Sequence, residues 1–158
     1  MSLTISTPTD REIVLTRTFA ARRELLFDAY TRADLLTQWY SARGWILVGC
    51  EIDLRDGGSY RFTSRGLGGE QMVQSGTVRM VQRPERLELT ELFDDQSYPG
   101  ETVITHEFTE HDGQTTVTTT VRYATPEGRD TVLRYPMARG VAEAGDRLSA
   151  LLAKPNDS

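Results

Sequence analysis

Apolar residues recur along this 158-residue chain with two periods, and the switches between them mark out its elements. Glu12 to Phe19 is rich in β-branched residues and reads as a strand. Arg22 to Tyr30 carries Leu25, Leu26, Ala29 and Tyr30 at helical spacing, and a second short helix is expected from Ala33 to Trp39. From Trp45 onward the period is two. Val48, Cys50, Ile52 and Leu54 fall on one face of a strand, and Tyr60 and Phe62 share a face in the next. Further strands are expected near Met72 to Gln82, Arg86 to Phe93, Thr102 to Glu110 and Thr115 to Tyr123. Asp56-Gly57-Gly58, Gly66 to Gly69, Arg83-Pro84-Glu85 and His111-Asp112-Gly113 supply the turns, and Asp94 to Gly100 a longer loop.

The period returns to that of a helix at the end of the chain. Met137, Val141, Ala144, Leu148 and Leu151 form one stripe, with Arg139, Glu143 and Arg147 at i,i+4 spacing on the solvated side. Thr125 with Pro126, or Asp130, can cap the start, and Pro136 is expected to kink or split the helix. The inward face is unusually small. Gly145 costs about 1 kcal/mol relative to alanine in a helix interior, so it needs a reason: close approach of a strand, or room left for a ligand. With the second reason, leucine at 145 would fill a void and raise stability.

The order is therefore a strand, two short helices, a run of strands and a terminal helix. It predicts an α+β fold in which a curved antiparallel sheet of six or seven strands grips the long C-terminal helix. Residues 1–10 read as a frayed N-terminus, 11–153 as a single domain and 154–158 as a tail. A chain of this length buries about 70% of its unfolded surface, enough for a full core.

The formal net charge of −5 argues against nucleic acid as a partner, because the arginines are interleaved with acids rather than clustered. The single cysteine, Cys50, excludes an internal disulfide and, with the lack of a basic-then-apolar leader, fits a cytoplasmic protein. No apolar run reaches the ~18 residues of a membrane span. The two histidines, His106 and His111, fall short of a metal site, so neither a metal nor another cofactor is expected. No nucleophile elbow, phosphate loop or metalloprotease motif occurs, and no residue is assigned as catalytic. His111 falls in a turn. His106 alternates with Ile104 and Phe108 on an inward face, as Glu91 does with Leu87, Leu89 and Phe93. A Glu and a His on one inner wall could pair at a cavity, hold a polar head or move a proton.

Several segments resemble one known family. Arg17 to Thr31 is similar to the opening signature of the SRPBCC (START/Bet v 1-like) superfamily, in the branch named after the activator of Hsp90 ATPase C-terminal domain. Leu36-Thr37-Gln38-Trp39-Tyr40 resembles its Leu-x-x-Trp-Trp segment, Asp53 to Gly58 its Asp-x-Arg-x-Gly-Gly turn, and Arg83 to Leu87 its Pro-x-Arg-Leu strand entry. Gly140 to Leu152 resembles its helical ending, except that Val141 stands where the family has Trp and Gly145 where it has Leu. Ala42 replaces a usual proline. The resemblance implies a helix-grip fold with an apolar cavity between sheet and terminal helix, and the two large-to-small departures would hollow out one place in it.

The expected occupant is a small hydrophobic or amphipathic molecule. It would be lined by Trp39, Tyr60, Phe62, Glu91, Phe93, His106, Tyr123, Met137, Val141, Gly145 and Leu148. Two alternatives stand beside this: a polyketide cyclase/aromatase-like or hydrolase-like enzyme using the same cavity, and a protein-interaction module like the Hsp90 co-chaperone branch. A homodimer is left open.

Overall fold

The computed structural model describes residues 3–41, 44–94, 96, 98–134 and 137–154, with Met137 described by its backbone. Eight strands and four helices follow one another: β1 (Thr4–Ser6), β2 (Glu12–Phe19), α1 (Arg23–Thr31), α2 (Ala33–Trp39), β3 (Trp45–Ile52), β4 (Ser59–Gly66), β5 (Gln71–Gln82), β6 (Arg86–Phe93), β7 (Thr102–His111), β8 (Gln114–Arg122), α3 (Pro126–Leu133) and α4 (Met137–Leu152). The strands make one antiparallel sheet in the order β1-β2-β8-β7-β6-β5-β4-β3. The expected α+β helix-grip arrangement is present, with eight strands rather than six or seven. The additional one is β1, within the segment read as frayed: Ile5 pairs with Leu15 and packs under the second hydrophobic cluster.

Glycine and aspartate fix the hairpins where the sequence placed them. Gly57, Gly69, Asp112 and Gly113 all have positive φ, the backbone region such tight turns require. In β3 the alternation slips. A bulge between Leu47 and Gly49 turns Leu47 into the core and leaves Val48 exposed, which corrects the expectation that Val48 shares the face of Cys50. Leu54 lies beyond the strand and is exposed.

Thr125 caps α3 by accepting a hydrogen bond from the Gly128 N–H at 3.0 Å, with Pro126 at the first helical position. The terminal helical region is in two parts, α3 and α4. Tyr135 and Pro136, the second of which was expected to split it, lie outside the described residues, as does Ala42.

One face of the sheet carries the core, in two clusters. The larger joins Phe19, Leu26, Phe27, Trp39, Phe62 and Leu148 with neighbours from α1, α2, the mid-sheet strands and α4. The smaller gathers Ile13, Leu15, Ile104, Val121 and Tyr123 at the other end of β2, β7 and β8. Leu26, Phe27, Leu87 and Leu148 are shut off from solvent altogether. Burying each such side chain is worth about 1.5–3 kcal/mol. Arg147 does not lie on a solvated face. It reaches from α4 to the Trp39 and Ser41 carbonyls, tying the helix to the end of α2.

Candidate ligand-binding site

The register places the inner-face side chains without ambiguity, because directly opposed residues of antiparallel strands share a face. Leu87 stands opposite His106, Leu89 opposite Ile104 and Glu91 opposite Thr102, and His106 in turn stands opposite Thr119 on β8. Both Glu91 and His106 therefore point inward, as expected. They do not pair. Thr102 and His106 are four residues apart on β7, so the two groups are separated by about 13 Å along the sheet.

Each instead anchors its own polar group. The Gln74 amide donates to Glu91 Oε2 at 2.7 Å and the Thr102 hydroxyl to Oε1 at 3.2 Å, while Gln74 accepts from the Tyr40 hydroxyl at 2.9 Å. Desolvation pushes the Glu91 carboxyl up to about 7, against the lowering pull of its hydrogen bond from Thr102. At the other anchor, His106 Nδ1 and the Thr119 hydroxyl are 2.8 Å apart, and the ring leans on Tyr30 with centroids 4.8 Å apart. Desolvation pulls this imidazole down to about 4, so it is neutral at pH 7.

Between the anchors runs an unbroken chain of rings. His106 touches Tyr30, Tyr30 touches Trp39, Trp39 touches Tyr40, Tyr40 touches Phe62 and Phe62 touches Tyr60, with neighbouring centroids 4.8–5.6 Å apart. The sheet supplies the two ends, His106 from β7 and Phe62 with Tyr60 from β4, and the helices the middle, which is why sequence spacing alone did not reveal it.

Tyr30, Tyr40, Glu91 and His106 sit deep in the fold, with protein packed around them on nearly every side. Each nevertheless keeps accessible surface. Side chains that are deep yet keep accessible surface make these four the candidate lining of a site. Tyr30 Oη and His106 Nε2 take no hydrogen bond among the described residues.

The remaining expected lining residues divide by their surroundings. Trp39, Tyr60, Phe62 and Leu148 are packed into the larger cluster. The Trp39 indole N–H donates to the Ala29 carbonyl at 2.9 Å and the Tyr60 hydroxyl to the Thr90 carbonyl at 2.6 Å, which fixes both rings. Phe93 stands half-buried opposite Gln74, and Tyr123 belongs to the smaller cluster beside Tyr98. Val141 is half-buried, and the Met137 side chain lies outside the described residues.

Gly145 is buried, and the space beside it is filled. A Cβ there would stand 2.5 Å from Arg17 Nη1. The Arg17 guanidinium donates to the Ala142 carbonyl at 3.1 Å and to Asp146 at 2.8 Å, and it lies 5.3 Å from the centre of the Phe19 ring. Of the two reasons the sequence allowed for this glycine, neither is found as stated: a side chain from a strand, Arg17, rather than the strand itself, occupies the space. Arg17, Tyr30, Tyr40 and Gln74 were missing from the expected site. The signal available for Arg17 was a cation at an otherwise inward position of β2.

Two hollows lined by described residues lie on the outside. One, of about 380 Å³, is lined by Leu25, Leu35, Leu151 and Leu152 together with Arg22, Asp28, Arg32 and Lys154. The other, near Arg23 and Glu107, is more polar. Among the described residues no cluster of three or more metal-ligating side chains forms, and no helix is long and apolar enough to cross a membrane.

An open antiparallel sheet holding a long terminal helix against its inner face defines the helix-grip class of α+β proteins. Within it the chain belongs to the family of activator of Hsp90 ATPase homolog 1-like (AHSA1) proteins, whose model matches residues 20–153. A crystal structure of a Rhodobacter sphaeroides protein is similar over 97% of this chain and 99% of its own, at 34% identity and a TM-score of 0.92. A Mycobacterium smegmatis protein at 24% identity (98% and 99% covered, TM-score 0.84) and the AHSA1 protein of Silicibacter pomeroyi at 23% (90% and 97%, TM-score 0.73) share the fold. No curated protein matches the chain.

Proposed function

We propose that this protein binds a small hydrophobic or amphipathic molecule between the inner face of its sheet and α4. One observation carries the reading: Tyr30 and Tyr40, packed at the edge of the larger hydrophobic cluster, and Glu91 and His106 on the inner face of the sheet are all deep yet keep accessible surface. Apolar walls with a few fixed polar groups are what small-molecule sites are made of. Trp39, Tyr60 and Phe62 form the rigid wall, and Val141, one turn before Gly145 on the same stripe, faces the hollow from the helix. The separation of Glu91 from His106 argues against a paired acid–base machine and for a binding role. Titration with Nile red tests this. Saturable uptake by the wild type, lost in Val141→Trp with the fold retained, is expected; no uptake by the wild type overturns the reading.

A second reading is favoured by the outer hollow, whose leucines and charged side chains suit a protein partner, and by the family's name, which refers to activation of the Hsp90 ATPase. It predicts that the protein raises the ATP turnover of purified Hsp90 and that Leu35→Asp abolishes the effect. An unchanged turnover removes it.

A further inference from the structure

The charges and open hydrogen-bonding atoms around the inner hollow narrow its occupant, given the binding role proposed above. A carboxylate or sulfonate buried against a protein needs a cation, or it bears an uncompensated desolvation cost of several kcal/mol. Two cations among the described residues reach into the space between sheet and helices, and both are committed. Arg17, with a side chain only 11% exposed, is neutralised by Asp146 and spends a further N–H on the Ala142 carbonyl. Its Nε finds no partner but is itself sealed from access. Arg147 keeps its charge, since carbonyls do not neutralise it, but its Nε and Nη2 are engaged by the Trp39 and Ser41 carbonyls.

The other charged group on the inner wall is an acid. Glu91 is held by the neutral donors Gln74 and Thr102 and touches no cation among the described residues, so a second negative charge in the hollow would be repelled. The atoms without a hydrogen bond among the described residues are neutral: Tyr30 Oη and His106 Nε2, on two rings whose centroids are 4.8 Å apart. Between them and Glu91 lies the wall of aromatic rings, whose faces and edges suit a flat partner at 4.5–7 Å.

We propose that the hollow takes an uncharged, flat aromatic molecule bearing a hydroxyl or similar neutral polar group at the Tyr30–His106 end, and rejects the carboxylate of the same shape. Selectivity arises from the lack of a free cation among the described residues as much as from the contacts made, which is how a site discriminates against a wrong ligand of nearly equal size.

The matched pair 2-naphthol and 2-naphthoate at pH 7.5 tests this, each displacing Nile red from the purified protein. Naphthol is expected to bind at least about tenfold more tightly than naphthoate. Tyr30→Phe, its fold verified by circular dichroism, is expected to weaken naphthol by about fivefold and leave naphthoate unchanged, the scale of one net hydrogen bond. Equal affinities, a preference for naphthoate, or no displacement by either compound overturns the proposal while Nile red uptake keeps the binding role intact. An unchanged naphthol affinity in Tyr30→Phe also overturns it. Failure of Nile red itself to bind overturns the binding role on which it rests.

Discussion

The guanidinium of Arg17 stands where a side chain at Gly145 would have to go, with Nη1 2.5 Å from the position of a Cβ. A strand of the sheet and the terminal helix thus meet through one long cation rather than through apolar packing. The glycine is needed because its neighbour is large. The guanidinium in turn is held by the helix, through the Ala142 carbonyl and Asp146.

Leucine at 145 must therefore displace Arg17 and break both contacts. Helix propensity returns about 1 kcal/mol, but a displaced guanidinium that remains shut in loses more, about 2–3 kcal/mol. Gly145→Leu is expected to destabilise by about 2 kcal/mol in urea unfolding, the opposite sign from a void-filling change. In the double variant with Arg17→Ala the leucine gains room, so the two changes should couple favourably by 1 kcal/mol or more. Additive effects would show that Arg17 and Gly145 do not share this space.

Arg147 ties α4 to the last turn of α2 through two backbone carbonyls. Its planar fork reaches both at once, which a lysine ammonium cannot. Arg147→Lys should cost about 1–2 kcal/mol, nearly as much as Arg147→Met. Full rescue by lysine in thermal unfolding would mean that charge alone matters at this position.

The same contrast explains how much of the fold was legible in the sequence. Tight turns and helix caps depend on residues that are local in sequence, so Asp112-Gly113 and Thr125-Pro126 announced themselves. The helix-grip order followed from the change of period. The site was harder because its parts are distant: Tyr30, Tyr40 and Gln74 meet Glu91 and His106 only through packing of α1 and α2 on the sheet. Inward orientation of Glu91 and His106 could be counted along their strands. Their separation could not, since it depends on the register of β6 against β7. Arg147 was read from polarity alone and Arg17 was given no structural role, yet a long side chain can carry its charge across an interior that polarity would assign to solvent.

Gly76 lies opposite Tyr60 in the neighbouring strand, and a Cβ on it would collide with the Thr90 carbonyl, which is also the acceptor of the Tyr60 hydroxyl. The clash is with backbone, so it cannot be relieved by rotating a side chain. Gly76→Ala is expected to destabilise by about 2–3 kcal/mol, and Tyr60→Phe, which only removes the hydrogen bond, by about 1 kcal/mol. Equilibrium unfolding of both variants checks the order, and an alanine variant as stable as the wild type would exclude the close approach.

The two anchors of the site impose opposite pH dependences on stability. Glu91 has its carboxyl raised from 4.5 to about 7, so the folded state binds the extra proton between those values. Its contribution is fully present below 4.5 and is lost as pH rises to 7, roughly 3 kcal/mol in all. His106 is lowered from 6.5 to about 4, so here the unfolded state binds the extra proton, and stability is gained as pH rises from 4 to 6.5, again by roughly 3 kcal/mol. Between pH 4.5 and 6.5 the two slopes cancel in the wild type. Removing either group should expose the other. In Glu91→Gln, stability should climb from pH 4 to 6.5, and above pH 7 the variant should exceed the wild type because no carboxylate has to be buried. In His106→Asn, stability should fall from pH 4.5 to 7. Unfolding free energies of the three proteins across pH 4–8 measure this, with each variant's difference from the wild type isolating one group. Flat difference curves would mean that both side chains titrate as they do in water, and so do not sit in a desolvated hollow.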